Sequence, residues 1–244
     1  MKAFGWLAAS LLGICSAAGE VREEAVDHAG SSFRVVRVEP SKVQLVWKDG
    51  KGVPYRTFDR VQADFTARGR KVVFLMNAGI FEPGGIPSGR YVENGREWLP
   101  LNSRKGEGNF YLHPGGVLQW SVQGHSAPRI TTTDEPPPRP PVVGDMAIQA
   151  GPMLLIDGKR HPAFKQGSPN QLVRNGVGID EQGRLVFAMT APGRTVNFWD
   201  FAGLFEKLGC KRAVFLDGDI SQMAVKPAAR VESNSFGAMF VIAE

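Results

Sequence analysis

An apolar run, Ala213 to Leu216, stops at Asp217-Gly218-Asp219-Ile220-Ser221. Two carboxylates and a hydroxyl thus sit at the end of what reads as a buried strand, which is a rigid mount for chemistry. A glycine between the acids would let the backbone take a positive φ and let a ligand approach closely. The competing reading is a plain hairpin turn, since Asp-Gly commonly joins two strands and apolar residues resume at Met223. Two other exits have a similar make-up. Asn77-Ala78-Gly79 follows the apolar run 71–76, and Ser168-Pro169-Asn170 leads through Arg174-Asn175 into Gly176. Asn102 and Asn109 lie between them. Asparagine both donates and accepts, and glycine bares backbone N–H groups, so these residues suit ligand binding as well as turns. Arg174 could grip a phosphate or carboxylate with two parallel hydrogen bonds, or could be a structural arginine paired with a nearby acid.

Other chemistries find little support. The chain has no Gly-x-Ser-x-Gly elbow and no P-loop. His113, His125 and His161 are far apart and lack zinc-site spacing. No cofactor is expected. Asp217 and Asp219 could bind a divalent cation, although the fuller Asp-rich calcium loop is missing. Glu82 and Glu93 are secondary acid candidates.

The elements that must carry these residues follow from periodicity. Phe58, Val61 and Phe65 recur on one face of a helix over 57–68, closed by Gly69; Phe198, Phe201, Leu204, Phe205 and Leu208 do the same over 197–208. Residues 33–38 and 43–47 read as paired strands, 109–112 and 117–120 as a hairpin about Pro114-Gly115-Gly116, and 176–179 with 185–189 as another. Strands are also expected at 71–76, 146–150, 153–156, 213–216 and 239–242. The segment 126–142 is Pro-rich and reads as a surface loop or lid. The pattern argues an α+β class: a single domain with a mostly antiparallel, mixed sheet and two main helices. Strand 185–189, helix 197–208 and strand 213–216 have βαβ spacing.

Met1-Lys2, the apolar stretch Phe4 to Ile14 and Ser16-Ala17-Ala18 form a signal-peptide pattern over 1–18. The mature chain is then expected to be exported, periplasmic or extracellular, with a loose terminus at 19–32 and one domain over 33–244. Of two cysteines, only Cys210 would remain, a buried inert thiol. The net charge of +5 allows an anionic partner. Basic residues are scattered, so nucleic acid is not expected. No later segment reads as a transmembrane span, and oligomeric state is left open.

Several segments together carry a likeness. They are Phe74-Leu-Met-Asn77-Ala-Gly79-Ile-Phe81, Gly89-Arg-Tyr-Val-Glu93, Leu101-Asn102, Gly108-Asn109-Phe110-Tyr111, Gln149-Ala-Gly151-Pro152-Met153-Leu154, Arg174-Asn-Gly-Val-Gly178, Val196-Asn-Phe-Trp-Asp-Phe201 and Leu216-Asp217-Gly218 with Ser221. From about Phe33 onward the chain resembles the phosphodiester glycosidase domain family, the domain of the enzyme that uncovers mannose 6-phosphate on lysosomal proteins, and its compact bacterial members in particular. The resemblance implies cleavage of a sugar 1-phosphodiester at the anomeric carbon. A phosphomonoester leaves readily, so the site needs donors on the phosphate and a carboxylate facing the anomeric carbon.

On that view Arg174 takes the phosphate, and Asp217 is general base or stabiliser of positive charge. Asn77, Asn102, Asn109, Ser168, Asn170, Asn175, Asp219 and Ser221 contribute to substrate binding, with backbone N–H groups at Gly79 and Gly218. Asp219 stands where the family carries a small residue. It either faces the pocket, raising the pKa of one acid of the pair, or points to solvent. The expected partner is a phosphorylated or anionic carbohydrate of the cell envelope. A second reading keeps the fold as a non-catalytic envelope glycan- or polyanion-binding protein. A third makes it a structural partner docking through 126–142.

Overall fold

A computed structural model of the chain describes residues 20–136, 139–228 and 230–244, so the signal-peptide expectation for 1–18 lies outside the described residues. The chain opens with β1 (Glu23–His28) and β2 (Ser31–Val38), followed by β3 (Gln44–Val46), α1 (Phe58–Ala67) and β4 (Val72–Asn77). A two-rung hairpin of β5 (Phe81–Glu82) and β6 (Ile86–Pro87) precedes β7 (Tyr91–Glu93) and β8 (Arg96–Leu99). Then come β9 (Gly116–Ser121), β10 (Arg129–Thr132), β11 (Asp145–Ala150), β12 (Met153–Ile156) and β13 (Lys159–Arg160). The last part holds β14 (Asn175–Ile179), β15 (Leu185–Thr190), α2 (Phe198–Lys207), β16 (Arg212–Asp217), β17 (Met223–Val225) and β18 (Met239–Ala243).

Three main sheets result. The first runs β1-β2-β15-β14-β16-β12-β13, the second β10-β9-β11-β7-β8 and the third β17-β4-β18-β3. Pairing among the described strands is antiparallel throughout. The βαβ spacing is real, but β14 sits between β15 and β16, so the two parallel strands never touch. The architecture is the expected α+β domain with two helices. One large core joins faces of all three sheets, with Phe74, Trp120, Phe187, Leu216 and Phe240 fully or almost fully buried. A second core lies between α2 and the first sheet, around Phe33, Phe201, Phe205 and Phe215. This burial is the main driving force available to a chain with no disulfide among the described residues.

Several expected pairings differ. Residues 33–38 and 43–47 do not pair: β2 lies between β1 and β15, and β3 lies beside β18 in another sheet. Residues 23–28, expected to be loose, form the edge strand β1. Asn109–Tyr111 is a 3-10 turn rather than a strand, and β9 pairs with β10 and β11. The Pro-rich segment contains β10, so it is part of a sheet rather than purely a loop. The hairpin reading of 213–225 also fails. β16 belongs to the first sheet and β17 to the third, so Asp217 to Gln222 is a crossing between sheets.

Candidate functional site

That crossing is where the polar residues gather. β16 pairs with β14 through a register shift that sets Asn175 opposite Asp217 and Gly176 opposite Phe215, leaving Leu216 as a bulge. A bulge at a strand end breaks the alternation and re-aims the next side chain. Here Asp217 joins the face of its cross-strand partner Asn175. β4 brings Asn77 to the same place from the third sheet, because all six of its residues are buried and its last one is the asparagine.

Three side chains then close a ring. Asn77 Nδ2 donates to Asp217 Oδ2 at 3.1 Å. Asn175 Nδ2 donates to Asn77 Oδ1 at 2.8 Å. The Asp217 backbone N–H donates to Asn175 Oδ1 at 2.8 Å. The Gln222 N–H fills the second acceptor position of Asn77 Oδ1 at 3.0 Å, and Gly218 N–H donates to Asp217 Oδ1 at 2.8 Å. Asn77 and Asn175 are fully buried, so these bonds satisfy groups that water cannot reach. Their amides orient the carboxylate through the Asn77 Nδ2 donor.

Asp217 itself is half-buried and reaches the surface together with Gly218 and the exposed Asp219. Burial pushes the Asp217 carboxyl up to about 6, while the Gly218 and Asn77 hydrogen bonds pull it down and the Asp219 charge adds to the rise. Asp219 thus takes the solvent-facing orientation and still acts on its neighbour. Gly218 does not adopt the positive φ suggested by its type. A Cβ there would meet only Val173 O, at 3.8 Å. Gly79 does need glycine, with φ of 131° directly after the β4 exit.

Arg174 is completely buried. No carboxylate pairs with it among the described residues, so the structural-arginine reading lacks its partner. Nε donates to Val196 O at 2.8 Å, Nη2 to Asn170 O at 3.3 Å, and Nη1 has no partner. Its guanidinium carbon lies 3.6 Å from the centre of the Phe198 ring, which stacks in turn on Phe164 at 4.8 Å. Cation–π contact holds the charge where no acid does. Burial lowers its pKa to about 10, and the Asp219 charge opposes that. Asp219 therefore acts on both Arg174 and Asp217, and Arg174 adjoins Asn175 of the ring. Ser221 is buried nearby in sequence, and its Oγ also lacks a partner.

The other expected site residues lie outside the ring. Asn102 Nδ2 donates to Ser88 O at 2.6 Å, and its backbone is clasped by Gln149. Asn109 opens the 3-10 turn and lends its carbonyl to Leu112 N–H at 3.1 Å. Ser168 Oγ accepts from Asn170 N–H at 3.3 Å, which shapes the loop over Arg174; Asn170 is exposed. None of them is hydrogen-bonded to Asp217. Sequence reasoning missed Gln222, Val196 and Phe198 as holders of the site. Val196 and Phe198 flank Asn197, whose Oδ1 caps α2 through Asp200 N–H at 2.8 Å, and a cap signal there would have marked the segment. Glu93 lies away from the ring, beside Tyr91 and Trp47. Among the described residues no three His, Cys, Asp or Glu side chains gather as a metal site, and no helix is long and apolar enough to cross a membrane.

Fold and site define a class: an antiparallel α+β domain that holds a carboxylate in an amide ring, with an acid-free guanidinium one residue from that ring. Residues 70–239 match the phosphodiester glycosidase family model. The chain is 33% identical over 198 residues to the Escherichia coli protein YigE, described as uncharacterized, covering 80% of this chain and 74% of that one. It belongs to the phosphodiester glycosidase family, which supports a glycosidase-like function. Among solved structures, the catalytic domain of zebrafish N-acetylglucosamine-1-phosphodiester alpha-N-acetylglucosaminidase, auto-inhibited by its pro-peptide, aligns with a TM-score of 0.62 at 17% identity, over 92% of this chain and 82% of that one. A protein from Burkholderia pseudomallei aligns with a TM-score of 0.54 at 13% identity, over 87% of this chain and 74% of that one. At these identities the structural likeness speaks for the fold.

Proposed function

We propose that the chain is an exported hydrolase that cleaves a sugar 1-phosphodiester, or a related anionic sugar linkage of the cell envelope. The observation that carries this reading is the buried Arg174 guanidinium, which has no carboxylate partner and one orphaned Nη1. A buried cation left without an acid is costly unless an anion completes it. A phosphate oxygen would do so through a charge-assisted bond stronger than the 3.3 Å contact to Asn170 O that it would replace. The loop 168–172 must shift for the phosphate to reach it. The orphaned Ser221 hydroxyl is a further donor for the anion.

Asp217 supplies the second half. Held at both oxygens, its carboxylate is ionised above about pH 6. It can then accept a proton from the attacking water or stabilise positive charge at the anomeric carbon. The phosphomonoester leaves with its charge met by Arg174, so no strong general acid is required. The purified protein should release the phosphate-bearing product from sugar 1-phosphodiester model substrates, and Asp217→Asn should abolish that release while leaving the fold intact by circular dichroism. Export predicts a secreted or periplasmic form beginning at or next to residue 19, read by mass spectrometry of the intact protein. The exposed Asp219 favours a second reading, since its charge opposes an anionic substrate. Binding of envelope glycan with no turnover of any such substrate would select the glycan-binding protein instead.

A further inference from the structure

A cavity of about 710 Å³ lies apart from the Asp217 ring, and none of the ring residues lines it. It opens between β3 and the loop after it, the C-terminal turn of α1 and the β7–β8 hairpin. Trp47, Tyr55 and Trp98 give it aromatic walls, and Lys48, Glu93 and Asn94 give it polar groups; Asp49 and Arg68 also line it, but Asp49 is engaged by the Lys51 and Val53 N–H groups and Arg68 pairs with Asp64. That size and that mixture of flat apolar walls with a few polar groups are typical of small-ligand sites.

Two of the charged groups, Glu93 and Lys48, are not used up internally. The Glu93 carboxylate accepts from Tyr91 Oη at 2.6 Å and from the Trp47 backbone N–H, and no cation pairs with it among the described residues. A carboxylate has about four acceptor positions, so about half of them are free. Burial pushes its pKa up, as expected of an acid short of partners. Lys48 is half-buried and likewise has no ion pair among the described residues. Its Nζ rests 3.8 Å from the Trp47 ring centre and 5.5 Å from that of Trp98. Trp98 is 38% exposed at the rim, on β8, whose residues are mostly exposed, and the Arg96 guanidinium carbon lies 3.7 Å from its ring centre.

These features select a ligand class by elimination. A cationic ligand meets aromatic rings already occupied by the Lys48 ammonium and the Arg96 guanidinium. An anion meets Glu93, an uncompensated carboxylate. A purely apolar ligand would bury both charges without partners, which is costly. A neutral polyhydroxylated ring fits all three conditions: its C–H face covers the indole, its hydroxyls donate to Glu93, and they accept from Lys48. We propose that this cleft is a second carbohydrate site, binding a neutral hexose or N-acetylhexosamine unit of a glycan chain through Trp98, Glu93 and Lys48. The site does not depend on the Asp217 chemistry and holds whether or not the protein turns over a phosphodiester.

The test is isothermal titration of the full chain with short oligomers of N-acetylglucosamine, of glucose and of mannose, with tryptophan fluorescence recorded in parallel. At least one oligomer should bind saturably. Trp98→Ala and Glu93→Gln should each weaken it about tenfold or more with the melting temperature of Trp98→Ala unchanged. Asp217→Asn should bind as the wild type does. The proposal is overturned if none of the three oligomers binds, if binding survives both cleft substitutions, or if it is lost in Asp217→Asn.

Discussion

At Asp217, burial and hydrogen bonding act in opposite directions, and burial prevails: the carboxyl titrates near 6 rather than at its ordinary 3.8. A folded-state value above the unfolded one means this group stabilises the protein fully below about pH 4. That contribution is lost as pH rises through about 6. With its partial exposure allowed for, it is worth about 1–2 kcal/mol. The wild type should therefore lose stability relative to Asp217→Asn between pH 4 and 7, measured by paired thermal melts. Over the same range kcat/KM should rise along a limb near pH 6, because the working form is the ionised one. The ring around Asp217 makes a second prediction. Removing Asn77 or Asn175 breaks the same closed set of bonds, so their losses should not add. Each alanine variant should lower kcat about tenfold or more, and the double variant should be little worse than either alone. The sequence showed that amides cluster with Asp217. It could not show that Asn77 Nδ2, Asn175 Nδ2 and the Asp217 N–H point around one circle, since that depends on which sheets dock.

Elements were legible where the signal is local. Both helices fall within a residue or two of their expected ends, because apolar spacing fixes the buried face and Asn197 and Gly69 mark boundaries. The buried strands at 72–77, 145–150 and 212–217 were legible as apolar runs. Pairing was not. Val43-Gln-Leu-Val-Trp47 carries strand chemistry, but nothing in it says that its neighbour is β18, about two hundred residues later, rather than β2. The Asp217 turn was misread for the same reason: Asp-Gly is a hairpin signal, and only tertiary contacts send Met223 to β4. Gly176 gives a test of how tightly α2 is set against the sheet that carries Asp217. A Cβ there would come within 2.9 Å of Val214 O and 3.2 Å of Phe201. Gly176→Ala should destabilise the protein by about 1–3 kcal/mol in denaturant titration, since backbone cannot yield as a side-chain tip does.

At the scale of the whole molecule, the family assignment and the fold agree, and the +5 charge suits the proposed anionic sugar substrate. Charge attraction of that kind should weaken with salt: KM for a phosphodiester substrate should rise between low and physiological ionic strength while kcat holds, read from initial rates. The Asn77 strand and the Asn175 and Asp217 strands belong to different sheets. The carboxylate is therefore fully oriented only after those sheets have docked on one another: the first sheet carries Asp217 and Asn175, and the third adds the Asn77 donor. During refolding, secondary structure and even one finished sheet should precede any activity. Turnover would return with the last docking event, which makes it a clock for the completion of folding rather than for its onset.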